Sequence, residues 1–125
     1  MPLLYIDYIE GKGMGVFAKK KIIAAGVIEK APILILPETQ WADIKKTGLR
    51  DYCYRWDDDK IGFVLGYGSL YNHSYNPNGK FIKKYAEKVM EFVALRDIEE
   101  GEEITVNYNY GFPDTNLPLW FEVIE

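Results

Sequence analysis

The chain is poor in the side chains that most often carry chemistry. Among its 125 residues there is one cysteine, Cys53, and one histidine, His73. A single cysteine excludes an internal disulfide and a cysteine-cluster zinc site. A single histidine argues against a protein metal site in general. Cys53 sits between Tyr52 and Tyr54, a strand-like setting that suits a buried, inert thiol better than a nucleophile. The start Met1-Pro2-Leu3-Leu4-Tyr5 carries no basic segment and no long apolar run before Asp7. No signal peptide and no membrane span are therefore expected, with a cytoplasmic setting as the default. Repeats, low-complexity tracts and linkers are also missing, so residues 1–125 read as one domain.

Positive charge is not in excess either. Lys and Arg total 15 against 19 Asp and Glu, for a net charge of −4. That balance disfavours a general nucleic-acid binder and is compatible with a basic partner such as a lysine-rich peptide. The acidic clusters Asp57-Asp58-Asp59 and Glu99, Glu100, Glu102 and Glu103 read as solvated turns.

What the chain does have is aromatic residues, 15% of the total and mainly its 10 tyrosines, and many short β-prone runs. Strands are expected over residues 3–9, 15–18, 27–31, 33–36, 51–56, 62–65, 80–85, 89–95 and 103–108. The alternation in Ile104-Thr105-Val106-Asn107-Tyr108 predicts a half-buried strand. One helix is expected over 37–46, with Pro37 in its first turn and Gly48 past its end. Nothing suggests alternating strand–helix units around a parallel sheet.

Two segments stand out as candidate sites. Gly11-Lys12-Gly13-Met14-Gly15 is glycine-dense and would let backbone approach a ligand. It has neither the dinucleotide spacing nor a P-loop ending, and by itself it reads better as a hairpin turn than as a binding loop. Asn72-His73-Ser74-Tyr75-Asn76-Pro77-Asn78 follows Gly66-Tyr67-Gly68-Ser69-Leu70-Tyr71 and reads as a tightly folded loop able to present donors and acceptors. Ser69 and Ser74 flank the histidine, yet neither lies in a nucleophile elbow. Tyr52, Tyr54, Trp56, Tyr108, Tyr110 and Phe112 could line an aromatic channel for a cation.

Taken in order, these segments resemble the SET domain of protein-lysine methyltransferases. Gly13-Met14-Gly15-Val16-Phe17-Ala18 is similar to the family's N-terminal G-x-G motif, and Asp51-Tyr52-Cys53-Tyr54 to its D-Y-L-F segment. Asn72-His73-Ser74-Tyr75-Asn76-Pro77-Asn78 is similar to N-H-S-C-x-P-N, and Gly101-Glu102-Glu103-Ile104-Thr105-Val106-Asn107-Tyr108 to G-E-E-[LI]-T-x-D-Y. The length resembles the minimal viral and bacterial members, which lack cysteine-rich flanking modules. Tyr75 and Asn107 depart from the family's usual cysteine and aspartate.

The resemblance implies a mainly β, β-clip fold of several small sheets, with a C-terminal pseudoknot and one short helix. It implies S-adenosylmethionine as cofactor, S-adenosylhomocysteine as product, and a lysine of a histone or another basic DNA-associated protein as acceptor. Tyr108 would be the catalytic residue. Lys12, Gly13, Met14, Gly15, Tyr52, Asn72, His73, Tyr108, Phe112 and Trp120 would hold the cofactor. Tyr52, Tyr54, Val106 and Tyr110 would line the substrate channel. His73 would bind cofactor and anchor the knot rather than act as base. No metal, direct nucleic-acid contact or membrane contact is implied, a homodimer is compatible, and a nuclear or host-chromatin location would replace the cytoplasmic one for a viral or secreted effector. The alternatives are a non-catalytic SET-like module that binds peptide or cofactor, and a small β-clip structural or carbohydrate-binding domain.

Overall fold

The computed structural model describes residues 3–57 and 59–109. Strands β1 (Leu4–Ile9) and β2 (Gly13–Ala18) form an antiparallel hairpin running from Leu4 opposite Ala18 to Ile9 opposite Gly13. Gly11 and Gly13 adopt φ of 86° and 91° at its turn, the left-handed region that glycine enters without a Cβ penalty. β2 continues antiparallel onto β9 (Glu103–Val106), and the two-residue β6 (Asn72–His73) lies parallel to β9 on its other side. The order in this sheet is β1-β2-β9-β6.

The second sheet holds β4 (Cys53–Asp57), β5 (Lys60–Val64), β3 (Val27–Pro37), β8 (Val89–Ala94) and β7 (Gly79–Lys84), in the order β4-β5-β3-β8-β7. The sequence predicted two segments where β3 is one strand of 11 residues passing through Pro32. β3 pairs with β8 up to Pro32 and with β5 from Ile33 onward. The Pro32 carbonyl accepts the Leu65 N–H at 2.9 Å, just beyond the end of β5. Its nitrogen faces the same way, where a missing N–H costs no ladder bond.

The expected ten-residue helix is much shorter. Residues Glu38–Gln40 form a 3₁₀ turn, α1 covers only Trp41–Ile44, and a second 3₁₀ turn spans Gly48–Tyr52. None of these elements has a fully buried residue, and a short helix without a buried face has little to hold it in water. The second 3₁₀ turn also takes Asp51 and Tyr52 out of the strand predicted there.

β9 is not half-buried as its alternation predicted. Ile104, Thr105 and Val106 are all buried, because β2 and β6 flank the strand. On one side a Cβ added at Gly79 would lie only 3.3 Å from the Thr105 carbonyl. The core joins both sheets through Val16, Ile28, Tyr71, Met90, Phe92, Ile98, Ile104 and Val106. The C-terminal passage of the expected pseudoknot falls on residues 110–125, outside the described residues.

Candidate active site

The loop after β6 is tied to β9 by a ladder and by one side chain. Asn72 pairs with Thr105 and His73 with Val106, and the Ser74 N–H donates to the Val106 carbonyl at 3.0 Å. Asn78 is buried at the far end of the loop. Its amide donates to the Glu103 carbonyl at 2.7 Å and to Glu102 Oε2 at 2.9 Å, and its oxygen accepts the Thr105 N–H at 2.9 Å. An asparagine suits this place because its amide can give and take at once. Between these anchors, Ser74 Oγ accepts the Asn76 N–H at 2.9 Å and tightens the turn ahead of Pro77.

The loop in turn sets the position of Tyr108. His73 Nδ1 accepts the Tyr108 N–H at 2.9 Å, and the two rings lie 5.1 Å apart. Since Nδ1 accepts, the neutral imidazole carries its proton on Nε2. The Tyr108 hydroxyl donates to the Tyr71 carbonyl at 2.6 Å. Burial first, then the charges of Glu103 and Asp51 and the phenol of Tyr52, hold the Tyr108 phenol well above its ordinary pKa. It is therefore a neutral hydroxyl at physiological pH, with its proton committed to Tyr71 and its oxygen still able to accept. The Asn107 side chain accepts the Asn109 N–H at 2.8 Å and turns the chain just past Tyr108, a role that needs only an acceptor oxygen.

The glycine-rich strand lies beside this loop. Asn72 Nδ2 donates to the Met14 carbonyl at 3.1 Å and to Glu103 Oε2 at 2.8 Å. Lys12 Nζ pairs with Glu103 Oε1 at 3.0 Å, and both side chains are largely enclosed. A Cβ on Gly15 would stand 2.8 Å from Ile9 Cδ1 and 2.9 Å from Glu103 Oε2, so the cluster closes against bare backbone there. At Gly13 the same construction meets open space. The Asn72 side-chain oxygen, Oδ1, receives no donor among the described residues.

Tyr54 on β4 and Tyr52 at the end of the preceding 3₁₀ turn lie near Tyr108. The Tyr54 hydroxyl donates to the Gly68 carbonyl at 3.0 Å, and its ring meets Phe81 edge-on at 5.2 Å. Burial, then Tyr108 and Glu29, push its phenol far above the ordinary range. Tyr52 is exposed, and its carbonyl lies 2.9 Å from the Ser69 hydroxyl, whose one proton it shares with the Val64 carbonyl at 2.8 Å. The Val106 side chain is enclosed in the core. Met14 is exposed, so what it offers the site is backbone. A cleft of about 160 Å³ is lined by Glu38, Trp41, Cys53, Tyr54, Arg55 and Ile61. Cys53 Sγ donates to the Leu49 carbonyl at 3.3 Å, and burial pushes its thiol up to about 11. Tyr110, Phe112 and Trp120 lie outside the described residues.

Sequence reasoning missed four residues. Glu102 and Glu103 were expected in a solvated turn, but both side chains bond into the loop and the glycine strand. Tyr71 is fully buried, with its hydroxyl on Glu29 Oε1 at 2.7 Å. Glu29 looked like an ordinary strand carboxylate. Tyr71 carried one signal, its position directly before Asn72, whereas Glu29 carried none.

The SET-domain family profile matches residues 13–109. "Histone-lysine N-methyltransferase, H3 lysine-37 specific" of Schizosaccharomyces pombe is 34% identical over 120 residues, covering 95% of this chain and 77% of that protein. "Histone-lysine N-methyltransferase TRX1" of Oryza sativa is 31% identical and "Histone-lysine N-methyltransferase trithorax" of Drosophila virilis is also 31% identical. The chain covers only 12% and 3% of those two larger proteins. The crystal structure of a Plasmodium falciparum protein assigned as a histone methyltransferase superposes with a TM-score of 0.72 at 28% identity, over 90% of this chain and 97% of that one.

Proposed function

The chain belongs to the SET-domain family of protein-lysine methyltransferases, and on that premise we propose that it moves the methyl group of S-adenosylmethionine to a lysine of a basic protein. Histones are the favoured substrate class, because the fission yeast, rice and fly relatives carry that activity in their names. A net charge of −4 suits a lysine-rich partner. Such a substrate implies a nuclear setting, with cytoplasmic basic proteins as the alternative. No helix among the described residues is long and apolar enough to cross a membrane.

The observation that carries this reading is the double fixing of Tyr108, through its N–H on His73 and its hydroxyl on the Tyr71 carbonyl. A hydroxyl whose proton is engaged in donating to a carbonyl presents its oxygen lone pairs to an incoming amine. Accepting an amine N–H there would aim the nitrogen lone pair away from Tyr108. The raised phenol pKa argues against Tyr108 as a base. The lysine must lose its proton before attack, and a desolvated channel lowers its pKa. The partly enclosed tyrosines Tyr54 and Tyr108 would provide such walls. Alignment of this kind can supply about 7–11 kcal/mol of a barrier.

The residues present fit the cofactor. Open space beside Gly13 and the spare Oδ1 acceptor on Asn72 suit a zwitterionic amino-acid group lying against backbone. Backbone of residues 12–15 with Asn72 and His73 would hold it, and Lys12 stands ready for a carboxylate in competition with Glu103. When bound, the cofactor supplies an electrophilic methyl group on a sulfonium. Phe112 and Trp120 remain proposed for its far side, and Tyr52, Tyr54, Val106 and Tyr110 for the lysine channel.

The test is transfer of label from methyl-labelled S-adenosylmethionine to a panel of histones and other basic proteins, with Tyr108→Phe alongside. Label on lysine in the wild type and a loss of at least a hundredfold in kcat for Tyr108→Phe, with calorimetric cofactor binding retained, are expected. Cofactor binding without transfer to any basic protein would favour a non-catalytic binding module. Full turnover by Tyr108→Phe would remove its assigned role.

A further inference from the structure

The tyrosines around the site are not positioned by their own strands alone. Residues 66–71 form a turn to which all of them are tied. Gly68 offers its carbonyl to the Tyr54 hydroxyl, the Ser69 hydroxyl reaches the Tyr52 carbonyl, and Tyr71 offers its carbonyl to the Tyr108 hydroxyl. The turn itself needs an anchor, because it has few bonds of its own. Leu70 N–H donates to the Tyr67 carbonyl at 2.9 Å, and Gly68 N–H to the Leu65 carbonyl at 3.1 Å.

The anchor is Glu29. Its Oε1 accepts the Tyr71 hydroxyl at 2.7 Å, and its Oε2 accepts the Tyr67 N–H at 3.0 Å. One carboxylate thus grips both ends of the turn. Gly66 wraps over it with φ of 64°, and a Cβ there would run into the carboxylate. Glu29 reaches this place because the pairing of β3 with β8 shifts register between Val27 and Glu29. A bulge of this kind re-aims the side chain that follows it. Tyr71, held by its hydroxyl and packed at a tilt against Phe92 with ring centroids 4.5 Å apart, then has little freedom to tilt its carbonyl.

We infer that Glu29 is a positioning residue for methyl transfer: by gripping residues 66–71 it fixes the Tyr71 carbonyl that aims the Tyr108 hydroxyl. The inference rests on the role proposed above for Tyr108. Glu29 touches neither substrate nor cofactor in this scheme. It acts through one phenol, one turn and one carbonyl.

Steady-state kinetics on Glu29→Gln, Glu29→Ala, Tyr71→Phe and Tyr108→Phe test it, with Tm and calorimetric cofactor Kd measured for each. A displacement of about 1 Å at a reacting centre can cost roughly a hundredfold. Tyr71→Phe should therefore lower kcat by roughly tenfold to a hundredfold, with KM and cofactor Kd within about twofold of wild type. Glu29→Gln keeps an acceptor for the Tyr67 N–H and a polar partner for Tyr71, so it should retain more kcat than Glu29→Ala. Combining Glu29→Gln with Tyr71→Phe should cost little beyond the worse single change, since both lie on one path. If Glu29→Gln and Tyr71→Phe keep wild-type kcat while Tyr108→Phe loses it, Glu29 has no positioning role and only this inference falls. If Tyr108→Phe itself keeps full turnover, the role of Tyr108 falls first. A loss of kcat that follows Tm alone, without rescue by glutamine, also overturns the inference.

Discussion

Removing the Asn78 amide should destabilise the domain more than any surface change near the site. In Asn78→Ala the Thr105 N–H loses its acceptor and the Glu103 carbonyl loses the Asn78 donor. Thr105 is buried between β2 and β6, where water cannot easily replace the lost bond. Leaving a buried polar group unsatisfied costs about 1–3 kcal/mol, so the two together cost about 2–6 kcal/mol, and about 3 kcal/mol is a conservative figure. The lost bond to Glu102, which is partly exposed, adds little. Against a total stability of about 5–15 kcal/mol this is a large fraction. At roughly 4 °C per kcal/mol for a domain of this size, Tm should fall by about 12 °C. Thermal unfolding followed by far-ultraviolet circular dichroism reads it directly. Activity well below the new Tm should fall as well, because the same bonds keep β9 in register with β6 and so set where Tyr108 begins. A Tm drop of less than about 3 °C would mean that Thr105 and Glu103 find other partners, and that Asn78 is not the pin between loop and strand.

Two further outcomes follow from the electrostatics. The Cys53 thiol, pushed up by burial from 9.0 to about 11, should react with a thiol reagent at pH 8 roughly a hundredfold more slowly than a small free thiol; a rate within about fivefold of the free thiol would contradict the burial. The Glu102 carboxyl is held below its ordinary range despite partial burial, by the Glu99 N–H, the Asn78 amide and the Arg96 guanidinium. A lowered folded pKa contributes stability above the ordinary carboxylate range and loses it as pH falls. Glu102→Gln should therefore be less stable than wild type at pH 7, with the gap closing near pH 3 in denaturant titrations; an equal gap at both would exclude the charge as its source.

Much of the fold was legible because strands announce themselves by composition. The strands at 3–9, 80–85 and 89–95 formed with their ends within a residue or so, carried by alternating apolar and polar runs between glycine and charged turns. The helix at 37–46 formed only over Trp41–Ile44, after a 3₁₀ turn, because capping and propensity say nothing about what a helix will pack against, and here nothing fully buries it. β3 runs through Pro32 as one strand, since a change of partner strand there lets the missing N–H go unused. The carboxylates at Glu102 and Glu103 looked solvated because a run of acids resembles a surface turn until its neighbours in space are known.

The sequence alone determined the chemistry on offer: no disulfide, one histidine, glycines dense enough to expose backbone, and an order of motifs similar to one enzyme family. These are local properties, carried by residues within a few positions of each other. Only the tertiary structure decided that His73 spends Nδ1 on the Tyr108 N–H, that Asn72 and Lys12 meet on Glu103, and that Glu29 grips the turn beneath Tyr108. Those contacts join residues 31 to 91 positions apart. No periodicity or spacing encodes them, because they arise where a parallel strand pair and a bulge bring separate segments together.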